Sequence, residues 1–213
     1  GTMSTQSTEQ ITVFSDYVCP FCYLGRESLS RYQEGRDEEL EINWQPFDLR
    51  SGKRNPDGSI DHSVDDGKDD DYYEQAKESV RNLQEKYDVE MELDLATEVD
   101  SFNAQIAAYY VAEGYPYETW LDFDEAIFEA LWQEGRDIGD ADVLADLASS
   151  VGVDAEEVRS ALDDETLREE IEAEWTTAQQ QGITGVPTFA YDGYAARGAV
   201  PPEQLQRLVE GTE

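Results

Sequence analysis

Cysteine, histidine and positive charge are all scarce in this chain of 213 residues, which has two cysteines, one histidine and 15 Lys+Arg against 50 Asp+Glu. A structural zinc site needs four ligands, so Cys19, Cys22 and His62 would have to recruit carboxylates or a second chain, and no metal is expected. The few lysines and arginines never gather into a patch, which disfavours nucleic acid and anionic lipid as partners. Also missing is any apolar run approaching the roughly 18 residues of a membrane-spanning helix, or an apolar core near the start of the kind a signal peptide carries. A cytoplasmic protein with no membrane partner is therefore expected.

What is present is acid, together with enough apolar residues for a core. The formal charge is -35, yet 39% of the residues are hydrophobic and 11% aromatic. The acidic segments carry clear helical apolar periodicity, which disordered acidic tails lack. Self-repulsion on this scale opposes compaction at low ionic strength and is screened to within about 3 Å at 1 M salt, so the composition points to a halophilic cytoplasm.

Along the chain, residues 1 to 9 are polar, and Ile11 to Phe14 reads as a short buried strand. Pro20 suits a first helical position, Leu24, Leu29 and Tyr32 follow at helical spacing, and Gly35 stops the run. Leu40 to Trp44 alternates like a half-buried strand, completing a βαβ unit. Arg50 to Asp71 lacks any apolar period and reads as a long acidic, solvated loop. A series of amphipathic helices follows, carried by Tyr73 to Tyr87, Phe102 to Tyr110, Ile127 to Trp132 and Val143 to Leu147. Asp154 and Glu157 have the spacing of a capping box ahead of Val158 and Leu162, and Leu167, Ile171 and Trp175 mark a last long helix ending near Gly182. Gly185 to Ala195 reads as two short strands joined at Asp192-Gly193, and a closing helix starts at Pro201-Pro202. The class is α/β (α+β): a sheet split by a large helical insertion, which brings the two ends of the chain together.

The stretch Asp16 to Gly25, D-Y-V-C-P-F-C-Y-L-G, holds both cysteines three apart, where a strand gives way to a helix. Zinc ligation, two inert buried thiols and a redox pair are the three explanations of such a spacing. Zinc lacks further ligands, and the position at a helix start weighs against inert thiols. A helix N-terminus favours thiolate over thiol, which makes Cys19 the expected nucleophile with a lowered pKa. Cys22, one turn further in, is then the shielded resolving thiol, and exchange runs through a mixed disulfide with the substrate. Pro20 and Phe21 between the cysteines offer no charge to hold a thiolate, so a less strongly oxidising centre is expected than a histidine there would give. Phe21 and Tyr23 are candidates to line a substrate groove beside Pro20. Asp16 is a candidate proton relay, or else a turn or capping residue.

C-P-F-C-Y, taken with Q-Q-G-I-T-G-V-P-T-F and the closing G-A-V-P-P-E-Q-L, resembles the DsbA family of thiol-disulfide oxidoreductases, in its cytosolic FrnE-like branch. The resemblance implies a thioredoxin-like fold interrupted by an all-helical domain. Its first part is then residues 9–50, the acidic loop and helical insertion residues 51–165, and its second part residues 166–213. It implies further that the Val186-Pro187 bond is cis and faces the cysteines, so that Val186 can pair with an extended substrate. The implied activity is disulfide oxidation, reduction or isomerisation on protein or small-molecule thiols and disulfides, by a monomer or homodimer. No cofactor is implied beyond the Cys19-Cys22 disulfide, with glutathione as a candidate co-substrate. A branch similar to kappa-class glutathione transferases and hydroxychromene-carboxylate isomerases is the alternative, although retention of both thiols argues against it. A plain binding module would instead tolerate loss of both cysteines. One departure stands out: Arg197-Gly198-Ala199 carries arginine where relatives often have serine.

Overall fold

The computed structural model describes residues 9–61, 63, 70–91 and 99–211. The expectations for residues 1–8, for His62 and for residues 64–69 of the acidic loop lie outside these. Four strands form one sheet: β1 (Glu9–Ser15), β2 (Leu40–Pro46), β3 (Thr188–Tyr191) and β4 (Tyr194–Arg197), in the order β2-β1-β3-β4. β1 and β2 are parallel, with Ile11 opposite Ile42 and Val13 opposite Trp44, and are joined by α1 (Pro20–Glu34) as a βαβ unit. β3 runs antiparallel to β1, with Val13 opposite Phe189 and Phe14 opposite Thr188. Asp192 and Gly193, at φ of 49° and 85°, make the tight turn from β3 to β4. The fold is thioredoxin-like.

Between β2 and β3 come α2 (Asp70–Tyr87), α3 (Phe102–Gly114), α4 (Tyr117–Trp132), α5 (Ala141–Ser150), α6 (Ala155–Leu162) and α7 (Glu165–Gln180), and α8 (Pro202–Glu210) closes the chain. One apolar cluster runs from Ile11, Ile42 and Phe189 of the sheet through Phe123, Ile127 and Trp132 to Ile171 and Trp175. Sheet and helices therefore share a continuous core. A buried ion pair reinforces it: Arg26 of α1 meets Asp124 of α4, which also accepts the Tyr17 hydroxyl at 2.7 Å.

Three expectations need correction. α4 begins ten residues before Ile127, directly after Pro116, because the acidic residues among Tyr117, Trp120, Leu121 and Phe123 hide the apolar stripe. The capping box is half formed. Asp154 accepts the Glu156 and Glu157 N–H groups, but the Glu157 carboxylate takes the hydroxyls of Tyr110 (2.7 Å) and Tyr115 (2.9 Å), and Tyr115 serves the Asp154 N–H that a box would have returned to. The described part of the acidic loop is also more than solvated chain. Residues 53–61 fold back on themselves through Asn55–Ser59 and Asp61–Lys53 backbone bonds, and Arg54 turns inward.

Candidate active site

β1 ends at Ser15, and the chain passes through Asp16, Tyr17 and Val18 to Cys19, the residue that caps α1. Extended backbone at Cys19 (φ -96°, ψ 116°) and Pro20 at the first helical position start the helix there without a side-chain cap. The Cys19 carbonyl takes the N–H groups of Cys22 (3.0 Å) and Tyr23 (3.3 Å), which sets Cys22 one turn into the helix. Antiparallel pairing of β1 with β3 places the start of β3 beside the end of β1. As a result the Cys19 Sγ lies 3.6 Å from the carbonyl oxygen of Val186, 167 residues away. The Val186-Pro187 bond is cis. The Pro187 carbonyl is held by the Gly198 N–H at 2.8 Å.

Both cysteines are free thiols, Cys19 at 5% and Cys22 at 1% exposure. Burial above all, then the hydrogen bond and charge of Cys19, push the Cys22 thiol well above its ordinary pKa. Asp16 is fully buried. Its carboxylate accepts the Leu49 N–H at 2.8 Å and the Val18 N–H at 3.3 Å, so it pins the turn before α1 to the chain leaving β2. Burial, and next the charge of Asp48, raise its pKa from 3.8 to about 6, against the lowering pull of Ser101 and the two N–H groups. Asp16 is also close enough to Cys22 for its backbone and its charge to act on that thiol.

The other residues named from sequence divide. Pro20 and Phe21 are half-buried, and Phe21 packs against the Leu24, Val80 and Tyr87 cluster under α2. Val186 is half-buried against the main core. Tyr23 does not line a groove. One step round α1 from Cys22, it points into the core between Phe128 and Trp132, with its hydroxyl accepting from Gln133. Sequence reasoning missed the polar network behind Asp16. Asp48, 5% exposed, is bound through both oxygens by Arg54 at 2.6 and 2.9 Å, and Arg54 also holds Asp100 at 2.8 Å. Gln105, fully buried, ties Ser101, the Phe47 carbonyl and the Trp175 indole together. The one available signal was the cluster Arg50, Lys53 and Arg54 at the head of an otherwise acidic loop. Among the described residues no group of three or more His, Cys, Asp or Glu has the geometry to hold a metal.

Comparison with known proteins agrees with this architecture. The family model for the DSBA-like thioredoxin domain matches residues 10–210. YwbO of Bacillus subtilis strain 168, itself an uncharacterized protein, is 30% identical over 203 residues, covering 95% of this chain and 96% of its own length. Among solved structures, the probable DsbA oxidoreductase SCO1869 of Streptomyces coelicolor superposes with a TM-score of 0.76 at 22% identity, over 96% of this chain and 91% of the other. The cytosolic disulfide reductase DsbM of Pseudomonas aeruginosa, solved with GSH, gives a TM-score of 0.61 at 18% identity, over 95% and 93%.

Proposed function

The chain belongs to the DSBA-like thioredoxin domain family, and from that premise we propose that it exchanges disulfides by a dithiol mechanism through Cys19 and Cys22. The observation that carries this reading is the Cys19 sulfur 3.6 Å from the Val186 carbonyl, beside a cis Val186-Pro187 bond. Cys19 attacks a substrate disulfide, forming a mixed disulfide and expelling one substrate thiolate. Cys22 then attacks the Cys19 sulfur, expels the second thiolate and leaves the Cys19-Cys22 disulfide, so two electrons pass from protein to substrate. The reverse sequence oxidises a substrate dithiol. Val186 offers backbone to an extended substrate, and Pro20 and Phe21 supply apolar contact around it.

Cys22 cannot attack as a thiol, and its burial makes the proton hard to lose. Asp16 is the acceptor this reading assigns, since a carboxyl titrating at about 6 can take a proton near neutrality and return it to solvent. Glutathione is the candidate small co-substrate. Retention of both thiols favours this mechanism over a glutathione-dependent isomerase, in which Cys19 alone would matter. The finer placement, a FrnE-like enzyme in the cytoplasm of a halophile, rests on the motif pattern and on the charge of -35.

An insulin-reduction assay at molar salt, with a redox titration of the two thiols, tests the proposal. The pair should cycle reversibly, Cys19→Ser should abolish turnover, and Cys22→Ala should accumulate mixed disulfides. Full turnover in Cys22→Ala that depends on added glutathione would replace it with the isomerase reading.

A further inference from the structure

A groove of about 310 Å³ lies along the outer edge of β2, between that strand and α3, α4 and α7, and neither cysteine lines it. Its aromatic lining is Trp44, Tyr109, Tyr117 and Trp120, its only charged lining residues are Glu113 and Glu174, and no lysine or arginine takes part. Trp44 stacks on Trp120 with centroids 6.2 Å apart, and Tyr117 lies 5.7 Å from Trp120. Trp120 is 3% exposed, yet its indole N–H finds no acceptor among the described residues. Burial first, then the charges of Glu113, Glu174 and Glu170, push the Tyr109 hydroxyl up to about 12. Glutamates cover this whole molecule and alone mark nothing. Four rings gathered around a hollow with two of them, and with no cation to answer them, are a different arrangement.

An extended peptide added to β2 would need a row of free backbone groups, and the edge does not offer one. The Ile42 N–H donates to the Tyr117 hydroxyl at 2.8 Å, the Leu40 carbonyl accepts from Gln33 at 2.7 Å, and Pro46 has no N–H. Between Ile42 and Pro46 alternation leaves outward only the Ile42 carbonyl, the N–H and carbonyl of Trp44 and the Pro46 carbonyl, so an added strand would find a single donor there. The occupant that fits is therefore a small molecule. We propose that this groove binds a small organic cation, a methylated ammonium held against the exposed ring faces with Glu113 and Glu174 balancing its charge. Aromatic faces attract such a cation through their quadrupole.

Fluorescence titration of the full chain tests this, because Trp44 and Trp120 sit in the groove. The probes are choline and its neutral carbon isostere 3,3-dimethylbutan-1-ol. Choline should give a saturable change and bind at least about tenfold more tightly than the isostere, about 1.4 kcal/mol. Tyr109→Ala should weaken choline by between about 2- and 30-fold, the range of one cation–π contact. The Glu113→Gln/Glu174→Gln double variant, at an exposed and a half-exposed position, should weaken it several-fold while leaving the core untouched. Insulin reduction should be unchanged in both, which separates this site from the thiol reading. Equal binding of the isostere, no saturation by choline, or an undiminished response in both variants would overturn the proposal.

Discussion

Keeping a carboxylate out of water costs free energy, and Asp16 carries that cost one turn before the cysteines. Its pKa is 3.8 in the open chain and about 6 when folded. Between those values the folded form binds more protons than the unfolded form, so stability falls as pH rises through the window. From pH 5 to pH 8 the loss is about 1 kcal/mol, because roughly half of the shift has already been spent below pH 5. Asp16→Asn removes the titration. Urea unfolding should show its stability relative to the parent improving by about 1 kcal/mol over that range, and a gap independent of pH would mean Asp16 titrates as an ordinary acid. Cys22 invites a companion experiment, since burial both shields it and raises its pKa. At pH 8, iodoacetamide should modify Cys22 in Cys19→Ser at least about tenfold more slowly than Cys19 in Cys22→Ala. Equal rates would reject the division into an attacking and a resolving thiol.

At the scale of elements, α1 can approach the Pro187 turn only because Gly25 has no side chain. A Cβ there would lie 3.1 Å from Pro187 Cγ and 3.1 Å from Phe189 Cζ, both held by β3 and its leading turn. Gly25→Ala would gain about 1 kcal/mol of helix propensity. Overpacking against ring carbons that cannot swing aside costs about 1 to 3 kcal/mol, so a net loss of up to about 2 kcal/mol is expected, with slower insulin reduction. A variant as stable and active as the parent would show that the Pro187 turn yields freely. This contact also marks where sequence stopped being informative. Strands, the Asp192-Gly193 turn and the start of α1 were legible because apolar period, turn chemistry and Pro20 act within a few residues. Cys19 and Cys22 were legible because only two cysteines exist. The opening of α4 was not, since acidic residues interrupt its stripe, and neither was the second partner of Glu157, because two tyrosines from elsewhere compete for it. Gln105 and the Arg54–Asp100 pair escaped for the same reason, their partners lying 70 and 46 residues away, while Asp48 and Arg54, six apart, meet only because the loop folds back in a way no apolar period marks.

For the molecule as a whole, the few cations are placed where geometry matters more than number. Arg26 with Asp124, and Arg54 with Asp48, lie largely inside, while the pairs of Arg136 and Arg159 stand on the surface. Most of the 50 acidic residues therefore repel one another across solvent, with only 15 Lys+Arg to offset them. Salt acts differently on the two populations: exposed repulsions are screened within a Debye length of about 10 Å at 0.1 M and 3 Å at 1 M, whereas buried pairs are barely screened. Raising salt from about 0.1 M to 2 M should relieve several kcal/mol of repulsion and lift the thermal midpoint by roughly 10 °C. Asp124→Ala leaves Arg26 buried without its carboxylate and the Tyr17 hydroxyl without its acceptor, at a cost of about 3 to 5 kcal/mol. That cost should be the same at both salt concentrations. Thermal and urea unfolding of parent and variant at the two salt levels would read both terms at once. A flat midpoint in the parent would show that self-repulsion does not limit the stability of this fold, and an Asp124→Ala penalty that fades with salt would place the Arg26 pair among the solvent-screened charges.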